Sequence, residues 1–304
     1  MRTTARGNVI VLLLGLGTGL CATPGRADEV VCGPTGLAED FHEVVYKNPS
    51  DPQRPGMWFI NFGNGQQYYD DQGSYAERGE SSSITGQIEG TTDYLRMSLE
   101  PDPTPGDYVD VEASELRTGH SYGSPCADTY PTPGHPVQVT ARMRCTTCKA
   151  DGSGGQVGTW GLWLWNSYPD VPAETIHPIT SIGFNWIQEG GYFPPGLAVS
   201  VLNETNPLYY QPVRLPVGID LGEWHVYRFV WRADSEVELV TFFIDDAMVG
   251  VAPIARPVTP MGELSLTIWH DNQVPIDPTA FPATEIMNPT APQHLDVDYV
   301  RVDR

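Results

Sequence analysis

The sequence predicts an all-β protein, a two-sheet antiparallel β-sandwich. Its 31 glycines and 28 prolines are scattered through 304 residues, which is typical of many short strands joined by turns. No stretch keeps the 3.6-residue apolar period of an amphipathic helix. Short β-rich runs recur along the chain instead, and so many strands in one domain favour two sheets packed about 10 Å apart.

The predicted strands are runs of apolar and β-branched residues, several of which alternate with polar ones. Alternation sends every second side chain to the same face of a strand, so one face enters the core. A hairpin turn is predicted at Asp245-Asp246, between two such runs. The ten predicted strands are Met57–Phe62, Tyr94–Leu99, Val137–Arg144, Thr159–Trp165, Ile182–Gln188, Leu197–Leu202, His225–Trp231, Val237–Ile244, Leu264–His270 and Leu295–Val302.

The first 27 residues are typical of an export signal. Arg2 and Arg6 give a positive start, an uncharged and mostly apolar run follows at Val9–Leu20, and Gly25-Arg26-Ala27 offers a small-residue cleavage site. A bilayer span needs about 20 apolar residues, and this run is shorter. We therefore expect residues 1–27 to be removed. Residues 28–304 should form a single domain outside the membrane, in an extracellular or periplasmic location.

The chain is strongly acidic, with a formal net charge of −21. Removing three arginines with the signal leaves 14 of 17 basic residues against 38 acidic ones, a charge of −24. Such a charge disfavours nucleic acid and anionic membranes as partners, and weakly disfavours a polyanionic substrate. It is also the charge of an ordinary solubilising surface.

Four cysteines remain after the signal: Cys32, Cys126, Cys145 and Cys148. An even number in an exported protein predicts two disulfides, with three possible connectivities. Cys145-Thr-Thr-Cys148 has the spacing of half a zinc site, but the sequence offers no second such pair. We expect both disulfides to form, with Cys32 paired across the chain.

Several segments have the order and texture of one known family. They are Ser114–Thr118, Val137–Met143, the tryptophan-rich Thr159–Trp165, Gly222–Trp231, Val237–Val249 and the closing Leu295–Val302. In this order they resemble the concanavalin A-like glycoside hydrolases of family 16, the laminarinases and lichenases. The resemblance implies a jelly roll with a concave cleft that contacts an extracellular polysaccharide.

The family's catalytic motif, Glu-x-Asp-x-x-Glu, is degenerate in this chain. The resemblance places Gly183 at the nucleophile position, Asn185 at the intervening Asp position and Gln188 at the acid/base position. Glycine has no side chain, and amides neither donate an acidic proton nor attack a sugar carbon. Amides still hydrogen-bond sugar hydroxyls. We therefore expect no hydrolysis by the standard retaining mechanism, which leaves the catalytic residues, if any, unknown.

Two other residues are candidates for relocated catalysis. Glu189 is the nearby acid, but shifting the register to use it places Phe184 and Trp186 at the other two motif positions, so no acid pair forms. His270, in Trp269-His270-Asp271-Asn272, ends a late strand and is either a general base or a hydrogen-bonding structural histidine.

The cleft is expected to bind a glycan through aromatic faces and amides, because aromatic rings suit the apolar faces of pyranoses. Strand alternation must send some of these aromatic residues into the core, and we expect about half of the tryptophans in each place. The predicted carbohydrate-binding residues are Trp160, Trp163, Trp165, Trp186, Trp269, Asn185, Gln188 and His270.

No cofactor is required by this interpretation, although a structural calcium ion is possible. Related domains often carry calcium on the convex side, bound by an Asp of the closing strand, and Asp298 matches that position. Gly90 is placed to lend a carbonyl, and calcium favours such oxygen ligands. The alternative is that Asp298 faces solvent without a metal.

The resulting hypothesis is a secreted protein that binds a neutral or weakly charged polysaccharide and lacks the retaining carboxylates. One alternative is a divergent glycoside hydrolase with relocated acids. Another is an alginate-lyase-like polysaccharide lyase, whose first motif Ser114–Arg117 slightly resembles, although no Gln-x-His pair follows. A third alternative is a structural envelope protein.

Overall fold

The structure, a computed structural model, describes residues 36–39, 58–61, 87–90, 94–99, 101, 113–118, 131–153, 157–165, 181–188, 193–203, 206–213, 215, 219–233, 238–254, 265–275, 284–287 and 289–303. Every regular element in these ranges is a β-strand. In the same ranges we find no helix that is long and apolar enough to cross a membrane. The predicted signal at 1–27, Cys32, Cys126 and Glu189 lie outside the described residues.

Seventeen strands are described. They are β1 (Gly36–Glu39), β2 (Trp58–Asn61), β3 (Gln87–Gly90), β4 (Leu95–Leu99), β5 (Ala113–Thr118), β6 (Val137–Cys145), β7 (Thr159–Trp165), β8 (Ser181–Ile187), β9 (Gly196–Asn203), β10 (Asn206–Pro212), β11 (His225–Arg232), β12 (Glu238–Ile244), β13 (Ala247–Ile254), β14 (Ser265–Asp271), β15 (Gln273–Pro275), β16 (Thr284–Ile286) and β17 (Gln293–Asp303).

The strands form two large antiparallel sheets. An eight-stranded sheet has the order β13-β12-β11-β6-β17-β4-β3, with β1 also paired to β17, and a seven-stranded sheet has the order β10-β9-β8-β7-β14-β5-β2. A small third sheet joins β15 to β16. Several neighbouring strands are distant in sequence, such as β6 and β17 in one sheet and β5 and β14 in the other, as expected for a jelly roll rather than a simple meander. The predicted two-sheet antiparallel sandwich is confirmed.

Alternation along the central strands builds the core. In β6, buried and half-buried residues alternate without interruption, as they do through the first five residues of β11. Inward side chains of both sheets meet in one apolar cluster. Phe184 of the seven-stranded sheet packs edge-on against Tyr227 and Phe242 of the eight-stranded sheet, with ring centroids 5.4 Å apart in both pairs.

The predicted hairpin turn is present at Asp245-Asp246, between β12 and β13. Both residues have positive φ, 48° and 65°, as a two-residue type I′ turn requires. The Asp245 carboxylate accepts hydrogen bonds from Val226 N at 2.9 Å and from His225 Nδ1. These bonds tie the turn to β11 and give His225 a structural role.

Cys145 and Cys148 form a disulfide at the end of β6. Their bond excludes a zinc site made by these two thiolates. It also leaves only one way to complete the two predicted disulfides, because Cys32 and Cys126 are the remaining cysteines outside the predicted signal.

We expect Cys32 and Cys126 to be linked in the exported protein. A bond across such a long loop should stabilise the fold by about 2–4 kcal/mol. Peptide mapping of unreduced protein should recover the Cys32–Cys126 linkage, and thiol titration after unfolding should find no free thiol. Two free thiols per mature chain would contradict the prediction.

Candidate functional site

The outer face of the seven-stranded sheet, the side away from the core, carries the candidate site. On β7 and β8 the side chains turned to the core are Trp160, Leu162, Ile182, Phe184 and Trp186, all at most 1% exposed. The residues between them therefore belong to the outer face. Register places Gly161 between Trp269 and Asn185, and Trp163 between Thr267 and Gly183.

Two partly exposed indoles, Trp163 and Trp269, dominate this face. Their rings meet edge to face, with centroids 4.1 Å apart. Trp269 Nε1 donates to Thr159 Oγ1 at 3.2 Å, and that hydroxyl donates to Asp271 Oδ1 at 2.7 Å. We call Trp163 and Trp269 the tryptophan pair. The hydrogen bond that Trp269 donates to Thr159 fixes the orientation of the Trp269 ring.

Glycines beneath the tryptophan pair make room for the rings. A Cβ added to Gly161 would lie 1.7 Å from Trp269 Cη2. A Cβ added to Gly183 would lie 2.3 Å from Trp163 Cδ1 and 2.1 Å from the Leu162 carbonyl oxygen. Gly183 takes the predicted nucleophile position, so at this position the indole of Trp163 fills the space into which a carboxylate would project.

The two predicted amides have different roles. Asn185 is 5% exposed and donates from Nδ2 to Ser200 Oγ at 2.6 Å. Its Oδ1 accepts no hydrogen bond from the described residues. Gln188 instead binds the main chain of Gly158. Its side-chain Oε1 accepts from the Gly158 N–H at 2.7 Å, and its backbone N–H donates to the Gly158 carbonyl at 3.1 Å. Gln188 therefore ties the end of β8 to Gly158, and its side-chain oxygen is already occupied by a hydrogen bond from the protein.

Three predicted site residues lie in the core, which corrects those predictions. Trp160 and Trp186 are directly paired across β7 and β8 and point inward, and His270 pairs with Trp160 from β14. All three are at most 1% exposed. A cross-strand pair shares one face, so these residues lie on the face opposite to the tryptophan pair.

His270 cannot be a general base for a bound sugar, because its ring is fully buried and donates from Nδ1 to the Met97 carbonyl at 3.3 Å. Burial lowers its pKa to about 4, against a smaller raising effect of that hydrogen bond. The histidine is therefore the structural one of the two alternatives.

This pKa predicts a dependence of stability on pH. Above pH 6.5 the ring is neutral in both the folded and the unfolded chain, so it contributes no slope. As the pH falls from about 6.5 to 4, only the unfolded chain takes up the proton, so this residue should lower the unfolding free energy by about 1.4 kcal/mol per pH unit. NMR of the imidazole should show no titration above about pH 5. A midpoint near pH 6.5 in the folded protein would contradict the structure.

The remaining predicted residues are placed by backbone register. Trp165 pairs with Ser181 and Ser265, in the row of the sheet next to that of Trp163. Glu115 and Arg117 of β5 pair with Trp269 and Thr267.

Sequence reasoning missed Asp271, although it follows Trp269 by two residues and so shares its face. Asp271 is the one acid in β7, β8, β9 and β14.

The predicted calcium ligand Asp298 has a different partner. Its carboxylate pairs with Arg142 Nη1 at 2.5 Å, and Asp298 is the extra residue of a bulge between β17 and β6. Gly90 pairs with Leu95 in the sheet. Among the described residues there is no cluster of three or more acidic, histidine or cysteine side chains that suits a metal. A guanidinium on the carboxylate repels a cation, so these residues do not fit a calcium site.

The two antiparallel sheets form a jelly roll, and comparison with solved structures finds the same fold in several glucanases. An endo-1,3-β-glucanase from Streptomyces sioyaensis matches with a TM-score of 0.52 and 13% identity, covering 90% of this chain and 98% of the glucanase. A laminarinase from Flavobacterium sp. UMI-01 matches at 0.50 and 13%, covering 88% of this chain and 98% of that one. A family GH16 non-specific endo-β-1,3(4)-glucanase matches at 0.50 and 14%, with coverages of 88% and 89%.

No protein-family model and no curated protein matches the sequence. The structural matches establish the fold alone: the chain has the jelly roll of these two glucanases and this laminarinase. This confirms the fold that the sequence resemblance implied.

Proposed function

We propose that this protein is exported and binds a neutral or weakly charged polysaccharide on the outer face of its seven-stranded sheet. The observation that carries the proposal is the tryptophan pair, because two partly exposed indoles lie side by side on the outer face of the seven-stranded sheet. Indole faces stack on the apolar faces of pyranose rings. Polysaccharide-active neighbours of the same fold support a carbohydrate partner.

Polar groups around the tryptophan pair suit the sugar hydroxyls. Asn185 Oδ1 is an available acceptor, and Asp271 and Thr267 share the face through β14. Few, well-placed polar groups among aromatic side chains are typical of ligand sites. Ordering a flexible glycan costs free energy, so we expect a dissociation constant between about 1 µM and 1 mM.

Hydrolysis by the retaining mechanism is not expected. That mechanism needs two carboxyl groups about 5–5.5 Å apart. The four central strands of the sheet contain one acid, Asp271, and Gly183 has no space for another. The polysaccharide would therefore be held and not cut.

A second candidate, a divergent glycoside hydrolase, has one observation in its favour. Glu115 pairs with Trp269, two residues from Asp271, so the two acids are diagonal neighbours on adjacent strands. Inverting enzymes use two carboxyl groups about 6.5–9.5 Å apart, and acids on adjacent strands are the kind of pair that could supply them.

Binding to a panel of immobilised β-glucans and other neutral glycans tests the main proposal. We expect at least one glycan to bind wild type, and Trp163→Ala and Trp269→Ala each to weaken binding at least tenfold while the protein stays folded. Met248→Ala, at a 65% exposed residue of the other sheet, is the matched control and should bind as wild type. Failure to bind any glycan, or unchanged binding in both variants, would contradict the proposal.

The same glycans distinguish the second candidate. Wild type should release no reducing ends above a blank. Release that disappears in both Asp271→Asn and Glu115→Gln would establish the divergent hydrolase instead.

A further inference from the structure

A cluster of arginines lies on the opposite side of the molecule, on the outer face of the eight-stranded sheet. Asp296 of β17 pairs in register with Arg96 of β4 and with Arg144 of β6. The carboxylate is fully buried, with its oxygens 2.7 and 2.9 Å from Arg96 and 2.8 Å from Arg144 Nε. Arg96 therefore binds it with two nitrogens, and Arg144 with only one.

Two of these arginines retain unused hydrogen-bond donors. Arg144 uses Nε alone, so neither terminal nitrogen has a partner among the described residues. Arg142, two residues earlier on the same strand and face, uses one terminal nitrogen on Asp298 and is 40% exposed. The structure thus holds two neighbouring guanidinium groups, each with N–H groups that no acceptor among the described residues takes.

Trp224 fixes both guanidinium groups. Arg144 Cζ lies 4.6 Å and Arg142 Cζ 5.0 Å from its ring centroid, and Tyr94 meets the same ring edge-on at 5.6 Å. Trp224 is itself partly exposed. A stacked guanidinium loses less conformational freedom when it binds an anion than a free side chain would.

The cluster is rich in guanidinium groups, although the chain as a whole is strongly acidic. Its three arginines face the carboxylates of Asp296 and Asp298, and Glu89 is opposite Arg96 in register, so these six groups are formally neutral within a protein of net charge −21. Paired guanidinium groups match the oxygens of carboxylate and sulfate with bidentate geometry. A partly exposed indole beside them suits the ring that carries such a group.

We propose that Arg142, Arg144 and Trp224 form a second carbohydrate site that binds an acidic sugar, through its carboxylate or sulfate group and its pyranose ring. This site is separate from the tryptophan pair and does not depend on the function proposed for it. It gives an acidic protein a site at which the unused guanidinium N–H groups of Arg142 and Arg144 bind an acidic saccharide.

Calorimetry with four probes tests the proposal: a glucuronate oligosaccharide, a sulfated oligosaccharide, a neutral β-glucan oligosaccharide of equal length, and inorganic sulfate. We expect at least one acidic oligosaccharide to bind, more weakly as salt is raised. Arg142→Gln and Trp224→Leu should each weaken that binding about tenfold or more, the loss typical of a charged hydrogen bond or a stacked ring. Preference for the glucuronate or the sulfated probe identifies the anionic group.

Arg301→Gln is the matched control. Arg301 also lies over an aromatic ring of this sheet, with its Cζ 5.0 Å from the centroid of Tyr299, and the substitution removes the same charge as Arg142→Gln. It should leave binding unchanged. If Arg142→Gln unfolds the protein, Arg144→Lys replaces it as the test, because lysine keeps a positive charge beside Asp296. This variant should still lose the bidentate contact to the anionic group of the sugar. Equal binding of inorganic sulfate and the acidic sugars, equal losses in the control, or no acidic binding would overturn the proposal. Trp163→Ala should not affect this site, so the two proposals can fail separately.

Discussion

Gly183→Ala should lower the free energy of unfolding by about 3 kcal/mol or more, as severe overpacking does. The added methyl group would lie 2.1 Å from the Leu162 carbonyl oxygen and 2.3 Å from Trp163 Cδ1. The first contact is with backbone, so moving a flexible side chain cannot relieve it. Gly183→Glu, which restores the nucleophile of the family motif, should be worse still and should not restore hydrolysis.

Chemical denaturation of Gly183→Ala and wild type measures the effect. Gly134→Ala is the control, because Gly134 has φ +79° but nothing within 4 Å of an added Cβ. It should cost only the backbone strain, about 1–2 kcal/mol. If Gly183→Ala is no more destabilising than the control, this position is open and the argument that Trp163 closes it is wrong.

Asp296→Ala should lower the free energy of unfolding by about 3–5 kcal/mol, the cost of removing one partner from a buried ion cluster. Asp296 is fully buried, whereas its arginines are about one quarter exposed. Removing the carboxylate leaves Arg96 and Arg144 next to each other without the negative charge that they share. The exposure of the arginines places the expected loss toward the lower end of that range.

Denaturant titration of Asp246→Asn provides the comparison, because asparagine removes the charge but tolerates the positive φ of this turn position. Asp246 also pairs with an arginine, Arg228 at 3.0 Å, but is 93% exposed, so its loss should change stability by less than about 1 kcal/mol. Similar losses in the two variants would show that burial of the Asp296 cluster has no special effect.

The fold could be predicted because its central strands carry clear patterns. All ten predicted strands are present, and Thr159–Trp165 has the predicted limits. Short strands at or near the sheet edges were missed, among them Gly36–Glu39 and Gln87–Gly90. A strand of four residues has too few alternations for a pattern to stand out from a loop.

The site could be predicted only in part, because β7 carries large apolar side chains on both faces. In Thr159–Trp165 the polar residue is Thr159, at the very start of the strand, so the sequence showed the spacing of the two sets of tryptophans but not which set turns outward. The glycines were the available signal. Gly161 and Gly183 lie beneath large rings, and a glycine inside a strand often marks a close approach. For His270 and Trp160, the face of the sheet on which they lie became known only from the pairing of β14 with β7.

Titration of ¹⁵N-tryptophan-labelled protein with the glycan identified from the neutral panel tests the central claim most directly. The indole N–H signals of Trp163 and Trp269 should shift as glycan is added. Those of Trp160, Trp186 and Trp231, which are at most 1% exposed, should stay in place as internal controls. Shifts confined to Trp224, or no shift at any tryptophan under conditions where the glycan binds, would contradict binding at the tryptophan pair.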